Sequence, residues 1–134
     1  MVEYKRSIKI VEKRYPESHT TKDMLEWIAI SLGVSTKRDL EGTLLKIMEI
    51  ILSKAKNSQP VKIEELAKKI HISKSTAHHH LEKMYYAGIL EKTKKGYYLK
   101  GRNLEETIEE IELEIKRIME RIKKVAKEID EQIF

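Results

Sequence analysis

One periodic run of apolar residues limits what this chain can become. Leu104, Ile108, Ile111, Ile115, Ile118, Ile122, Val125 and Ile129 follow one another at spacings of 4, 3, 4, 3, 4, 3 and 4. That is an unbroken heptad seam over more than three repeats. No Gly or Pro interrupts residues 104–134. One continuous helix of about 46 Å is therefore expected, at ~1.5 Å per residue. Asn103 supplies a side-chain oxygen for its start, and Glu106 sits three residues later in the place of a capping-box partner. A domain built from the remaining residues is too small to hide so long a stripe unless the helix folds back along it. The spacing thus predicts a self-associating helix, with an intramolecular cover over the N-terminal segment as the alternative. Met119, Ala126 and Ile133 form a second stripe, available to dock against Tyr4, Ile8 and Val11 or against Trp27.

Charge orients the association. Residues 105–114 carry six Glu and no base, whereas residues 116–127 carry six bases and one Glu. The gradient follows the helix dipole. It also makes an antiparallel or splayed partner complementary, while a parallel partner sets like against like. Isoleucine at both seam positions would favour trimers in an isolated parallel coiled coil.

The rest of the chain is consistent with a small intracellular protein. It has 134 residues, enough for one domain with an appendage. It contains no Cys, which excludes disulfides, thiolate metal sites and cysteine nucleophiles. No apolar run approaches the ~18 residues of a membrane span, and the first residues, Met-Val-Glu-Tyr-Lys-Arg, lack an apolar signal core. A cytoplasmic location with no membrane partner is expected. Asn and Gln appear only as Asn57, Asn103, Gln59 and Gln132, against abundant Lys, Glu and Ile. That bias is typical of heat-resistant proteins.

The net charge of +5 is unevenly spread: residues 53–103 hold +8, residues 1–52 hold +1 and residues 104–134 hold −4. A central block so positive is the footprint of a polyanion-binding module; a lysine-rich solvated surface is the plainer reading.

Along the chain, Tyr4, Ile8, Val11 and Tyr15 predict a short amphipathic helix ended by Pro16, with a strand as the alternative because Ile8 and Ile10 alternate. Thr20-x-x-Asp23 opens a second helix that carries Met24, Leu25, Trp27, Ile28 and Leu32 and stops at Gly33. Trp27 is read as core. Ser35 or Thr36 caps the next helix, which carries Leu40, Leu44, Ile47, Met48, Ile51, Leu52 and Ala55. Ala29 to Leu40 superficially resembles a helix-turn-helix. Its packing position is Asp39, so two packed helices are expected instead.

Residues 60–100 are the most informative. Val61-Lys62-Ile63 is β-like. Ile63 to Ile70 is a short helix with Leu66, Ala67 and Ile70 inward. His71-Ile72 makes a tight turn, and Ser73 caps a helix that runs to Ala87 and stops at Gly88. Ile89 to Lys100 forms a β-hairpin with the basic tip Lys94-Lys95-Gly96. Tyr97 and Tyr98 divide, one inward and one outward. At 100° per residue, Ala77, Leu81, Met84 and Gly88 share the core side of the capped helix. Ser75, His79, Glu82 and Tyr86 share the opposite side, flanked by Thr76, His78 and Lys83. Hydroxyls, imidazoles and Lys74 thus face outward, as phosphates and base edges in a major groove require. His80 is placed half-buried against the wing.

Ile72-Ser73-Lys74-Ser75-Thr76-Ala77-His78-His79-His80-Leu81, followed by Ala87-Gly88-Ile89-Leu90, resembles the recognition helix and start of the wing in ArsR-type winged-helix transcription regulators and their TrmB-like archaeal relatives. The resemblance implies a mostly α fold with a small β-hairpin wing, a DNA-reading helix, a wing on the flanking backbone, and flanking helices that make a dimer. Two departures stand out. His71 occupies the turn position usually held by glycine, and so must take a positive or strained φ. The cysteine metal ligands of the metal-sensing members are missing.

Three consecutive histidines point ~100° apart and cannot converge on one ion. No metal or cofactor is expected. Because imidazole titrates near neutrality, DNA affinity is expected to rise as pH falls. No Gly-rich phosphate loop, metal-spaced histidine pair or nucleophile elbow is present, so an enzyme is not expected.

The expectation is a helical extension over residues 1–38, a winged-helix DNA-binding domain over 39–102 and a dimerisation helix over 103–134. The DNA-binding set is Lys74, Ser75, Thr76, His78, His79, Lys83, Lys92, Lys94 and Lys95, acting on double-stranded DNA as a homodimer. The alternatives are a winged helix used for docking to transcription or replication proteins, and a non-specific chromatin protein. The identity of any small-molecule effector is left open.

Overall fold

A computed structural model describes residues 5–35 and 42–134. Its elements are α1 (Thr21–Ser31), α2 (Thr43–Ala55), α3 (Ile63–Lys69), α4 (Lys74–Tyr86), β1 (Leu90–Thr93), β2 (Gly96–Leu99) and α5 (Leu104–Ile133). The fold is mostly helical, with a two-stranded antiparallel wing and a long final helix.

Local chemistry sets most of the boundaries. Thr20 caps α1 by accepting from the Asp23 amide, and Gly33 follows the helix end at φ 70°. Ser73 caps α4 by accepting from the Thr76 amide at 3.0 Å, and Asn103 caps α5 by accepting from the Glu106 amide at 2.8 Å. These bonds satisfy amides that the first helical turn leaves free. His71 carries φ 55°, as the turn between α3 and α4 demands.

The wing pairs Leu90 with Leu99 and Thr93 with Gly96. Val61 bridges to Tyr97 as a third short partner. Gly96 sits at φ 135°, and a Cβ there would meet the Val61 carbonyl oxygen at 2.6 Å. Only glycine allows both the turn and that close strand approach.

One continuous core joins all of these elements. It includes Leu25 and Ala29 of α1, Leu44, Ile47, Met48 and Ile51 of α2, Leu66 and Ala67 of α3, Ala77, Leu81 and Met84 of α4, and Tyr97 and Leu99 of β2. As expected, the tyrosine pair divides: Tyr97 is buried and Tyr98 half-buried.

Three expectations need correction. The segment read as a first helix forms neither helix nor strand from Arg6 to Pro16. Its backbone is claimed by neighbours: the Ser7 amide donates to the Tyr86 carbonyl and the Val11 amide to the Ser31 carbonyl, each at 2.8 Å. Trp27 is half-buried rather than core, donating its indole N–H to the Arg14 carbonyl and stacking on Tyr15. Ser35 does not cap α2, whose N-cap is Gly42 at φ 65°. Tyr4, Thr36, Asp39 and Leu40 lie outside the described residues.

The heptad seam divides into two parts. Leu104, Ile108, Ile111 and Ile115 pack onto the chain's own core, with Ile111 only 2% exposed. This part of the expected dimerisation seam is engaged within the chain itself. Farther along, Ile118 is half-buried, while Ile122, Val125 and Ile129 are 55%, 57% and 50% exposed. Met119 and Ile133 are exposed as well. Among the described residues, no helix is long and apolar enough to cross a membrane.

Candidate nucleic-acid interface

The candidate interface is built on α4. Its inner side is closed by Ala77, Leu81 and Met84, all buried. The small Ala67 of α3 and Ala77 of α4 are both buried in the core that the two helices share. Burying that side forces the rest of the helix outward. Lys74, Ser75, Thr76, His78, His79 and Lys83 are all exposed.

Two structures bracket this outward surface. On one side stands the wing. His78, Glu82 and Tyr85 lie along it, and Glu82 is its anchor. Tyr97 donates its hydroxyl to Glu82 Oε2 at 2.8 Å, and the Lys92 ammonium donates to Glu82 Oε1 at 3.0 Å. His78 Nε2 lies 3.8 Å from the same carboxylate. Burial pushes the Glu82 carboxyl up, but the hydrogen bonds from Tyr97 and Lys92 and the charges of Lys92 and His78 outweigh it, leaving it below the ordinary carboxylate range. Burial and the bond to Glu82 push the Tyr97 hydroxyl well above its usual range, so it remains a donor.

On the other side lies the N-terminal strap. Ser7 and Lys9 share a hollow with His79, Lys83 and Tyr86 of α4 and Gly33 after α1. Arg6 fixes the strap by donating to the Tyr85 carbonyl and to Glu114 Oε1 of α5, each at 2.7 Å. Its guanidinium also lies 4.9 Å from the Tyr85 ring centre. Strap, α4 and α5 meet at Gly88, where φ is +86°. A Cβ there would touch Glu114, Ile111 and Ile8.

The expected residues therefore separate into groups. Ser75, Thr76, His78 and His79 share the open surface. Lys74 is exposed, with its ammonium 3.4 Å from Glu64. Lys83 belongs to the strap-side hollow. Lys94 and Lys95 occupy the exposed tip of the wing. Lys92 is held back by Glu82. Glu82 itself, placed by helical angle on the outward side, turns instead to the wing; a long carboxylate there reaches two donors on the hairpin.

Sequence reasoning missed two contributions. A broad open cleft between the wing and the start of α3 is lined by Lys54 and Lys62 as well as His78, Lys92, Lys94 and Lys95, with Glu64 and Glu65 on its rim. Both lysines stood in the positively charged block, but only the fold brings them to the wing. Lys9 was missed because the strap was read as a helix with its apolar side inward.

A helix, a tight turn, a second helix with a polar exposed side and a basic hairpin together define a winged helix-turn-helix. Residues 43–92 match the family model described as bacterial regulatory protein, arsR family. The match runs from the first residue of α2 into β1 and so includes the tight turn and all of α4. Over these residues the chain is similar to the winged-helix domain of ArsR-type regulators, which supports a DNA-binding transcription regulator. Comparison with curated proteins gave no match, and comparison with solved structures gave none either.

Proposed function

We propose that the chain is a homodimeric transcription regulator that reads a particular double-stranded DNA sequence. The first turns of α4 enter the major groove, with Ser75, Thr76, His78 and His79 toward base edges and Lys74 toward phosphate. The wing tip, Lys94 and Lys95, lies on the flanking backbone. The observation that carries this reading is the asymmetry of α4: one side sealed by Ala77, Leu81 and Met84, the other exposed and rich in groups that bond to bases and phosphates.

The dimer follows from α5, whose final turns expose a continuous apolar stripe. Two-fold symmetric operators suit a two-fold protein. Lys54 and Lys62 extend the basic surface beside the wing and add phosphate contacts.

Selection of bound duplexes from a random pool tests the reading. An enriched site with two related half-sites is expected, and Ser75→Ala or His79→Ala should change the enriched bases. Recovery of duplexes with no shared sequence would overturn sequence-specific reading and leave only backbone binding.

A further inference from the structure

Every residue from Arg121 to Phe134 is exposed, although the helix continues to Ile133. Helices of this length are marginal in water without a partner. A stripe repeating at 4 and 3 is the pattern of a helix that meets another helix. In heptad terms Ile118 and Val125 are d positions, and Ile122 and Ile129 are a positions. Met119, Ala126 and Ile133 then fall at e, and Glu114, Arg121 and Glu128 at g.

We propose that this segment pairs antiparallel with the same segment of a second copy. Ile122 lies opposite the partner's Val125, and Ile118 opposite the partner's Ile129. The inference rests on the homodimer reading and adds its geometry.

Charge and burial together select this arrangement. In an antiparallel pair, g positions flank g positions and e positions flank e positions. Arg121 then lies beside the partner's Glu128, twice by symmetry, and Met119 lies beside the partner's Ala126. A parallel pair sets g against e. That places Arg121 against the partner's Ala126 and Glu128 against the partner's Ile133, so charges meet apolar side chains and no opposite charges meet.

The neighbouring antiparallel registers fail as well. Sliding one heptad toward the start of α5 sets Arg121 against the partner's Arg121 and Glu114 against the partner's Glu128. It also requires Ile111, which is buried in its own core, to serve as seam. Sliding the other way sets Glu128 against the partner's Glu128 and Ile122 against the partner's Gln132. Only the proposed register matches charge without calling on a residue buried in the chain's own core.

The arrangement holds the two winged domains at opposite ends of the paired helices. The dyad falls between residues 123 and 124, so the two copies of Glu109 lie about 44 Å apart along the axis at ~1.5 Å per residue.

The chain has no native Cys, so single cysteine variants accept spin labels at one site only. Glu109 and Lys124 are both exposed positions for labels. Dipolar distance measurement on the full chain should give a short Lys124 distance and a Glu109 distance of about 45 Å. Short distances at both sites would overturn the antiparallel register while keeping the dimer. No dipolar signal with a monomeric mass in solution would overturn the homodimer reading itself.

A charge swap gives a second readout. Arg121→Glu or Glu128→Arg alone should raise the dimer dissociation constant roughly tenfold. The double variant should restore it. A double variant as weak as the singles would contradict the Arg121 to Glu128 pairing.

Discussion

Tyr97 donates its hydroxyl to Glu82 Oε2 at 2.8 Å, so the second strand of the wing is bonded to the side of α4. Lys92, from the first strand, donates to the same carboxylate. One ionised side chain thereby fixes the angle between the two parts of the proposed DNA surface. Because the Glu82 carboxyl is held below its ordinary range, its stabilising effect is complete above the unfolded-state value and is lost as pH falls through the folded-state value. The stability gap between the native chain and Glu82→Gln should stay constant from about pH 6 to 8 and shrink below roughly pH 4.5. Urea unfolding at several pH values measures it. A gap that persists unchanged into strong acid would show that the ionised carboxylate is not what holds the wing.

The lysines of the wing differ in what holds them, and they should differ in effect. Lys94→Ala with Lys95→Ala should weaken binding to every duplex and lower the salt slope by about 2, one for each lost phosphate contact. Lys92→Ala should change the slope less, since Glu82 already holds its ammonium. Affinity titrations between 50 and 200 mM salt, at roughly the range where such slopes are read, compare them. Equal slopes for Lys92→Ala and the double variant would contradict the assignment.

Arg6 and Glu114 form a largely buried pair that ties the strap to α5, with Tyr85 of α4 sharing the guanidinium. Removing either partner leaves the other poorly solvated, so each single alanine variant should destabilise the fold by about 1–3 kcal/mol. The double variant should cost less than the sum, with a coupling of about 1 kcal/mol or more. Additive effects in a denaturation cycle would mean that the two side chains act independently.

Much of this architecture was legible in the sequence because local chemistry decides it. Ser73 and Asn103 cap where their side chains predict, and Ala77, Leu81 and Met84 face inward at helical spacing. The strap was not legible. Tyr4, Ile8, Val11 and Tyr15 repeat as a helix does, yet carbonyls of Tyr86 and Ser31 capture the strap backbone from far along the chain. Glu82 was misplaced for a similar reason: its angle on the helix is set locally, whereas its direction depends on where the wing brings Tyr97 and Lys92. The seam of α5 was recognised as apolar throughout, but which part meets its own core depends on tertiary contacts at Gly88 and Ile111.

The turn between α3 and α4 stores strain that a substitution can release. His71 sits at φ 55° with its side chain exposed, a conformation that costs most residues energy and glycine little. His71→Gly should stabilise the fold by a few tenths to about 1 kcal/mol, and His71→Val should destabilise it by about 1–2 kcal/mol. Thermal or urea unfolding of both variants checks the sign. A stabilising valine would contradict the assigned backbone.

The central claim is that the exposed turns of α4 and the wing tip meet duplex DNA. Backbone amide resonances, followed as a selected duplex is added to the full chain, test it most directly. The largest shifts should fall at residues 73–79 and 93–96, with the exposed end of α5 unchanged. Shifts confined to other surfaces, with α4 and the wing tip unmoved, would contradict it.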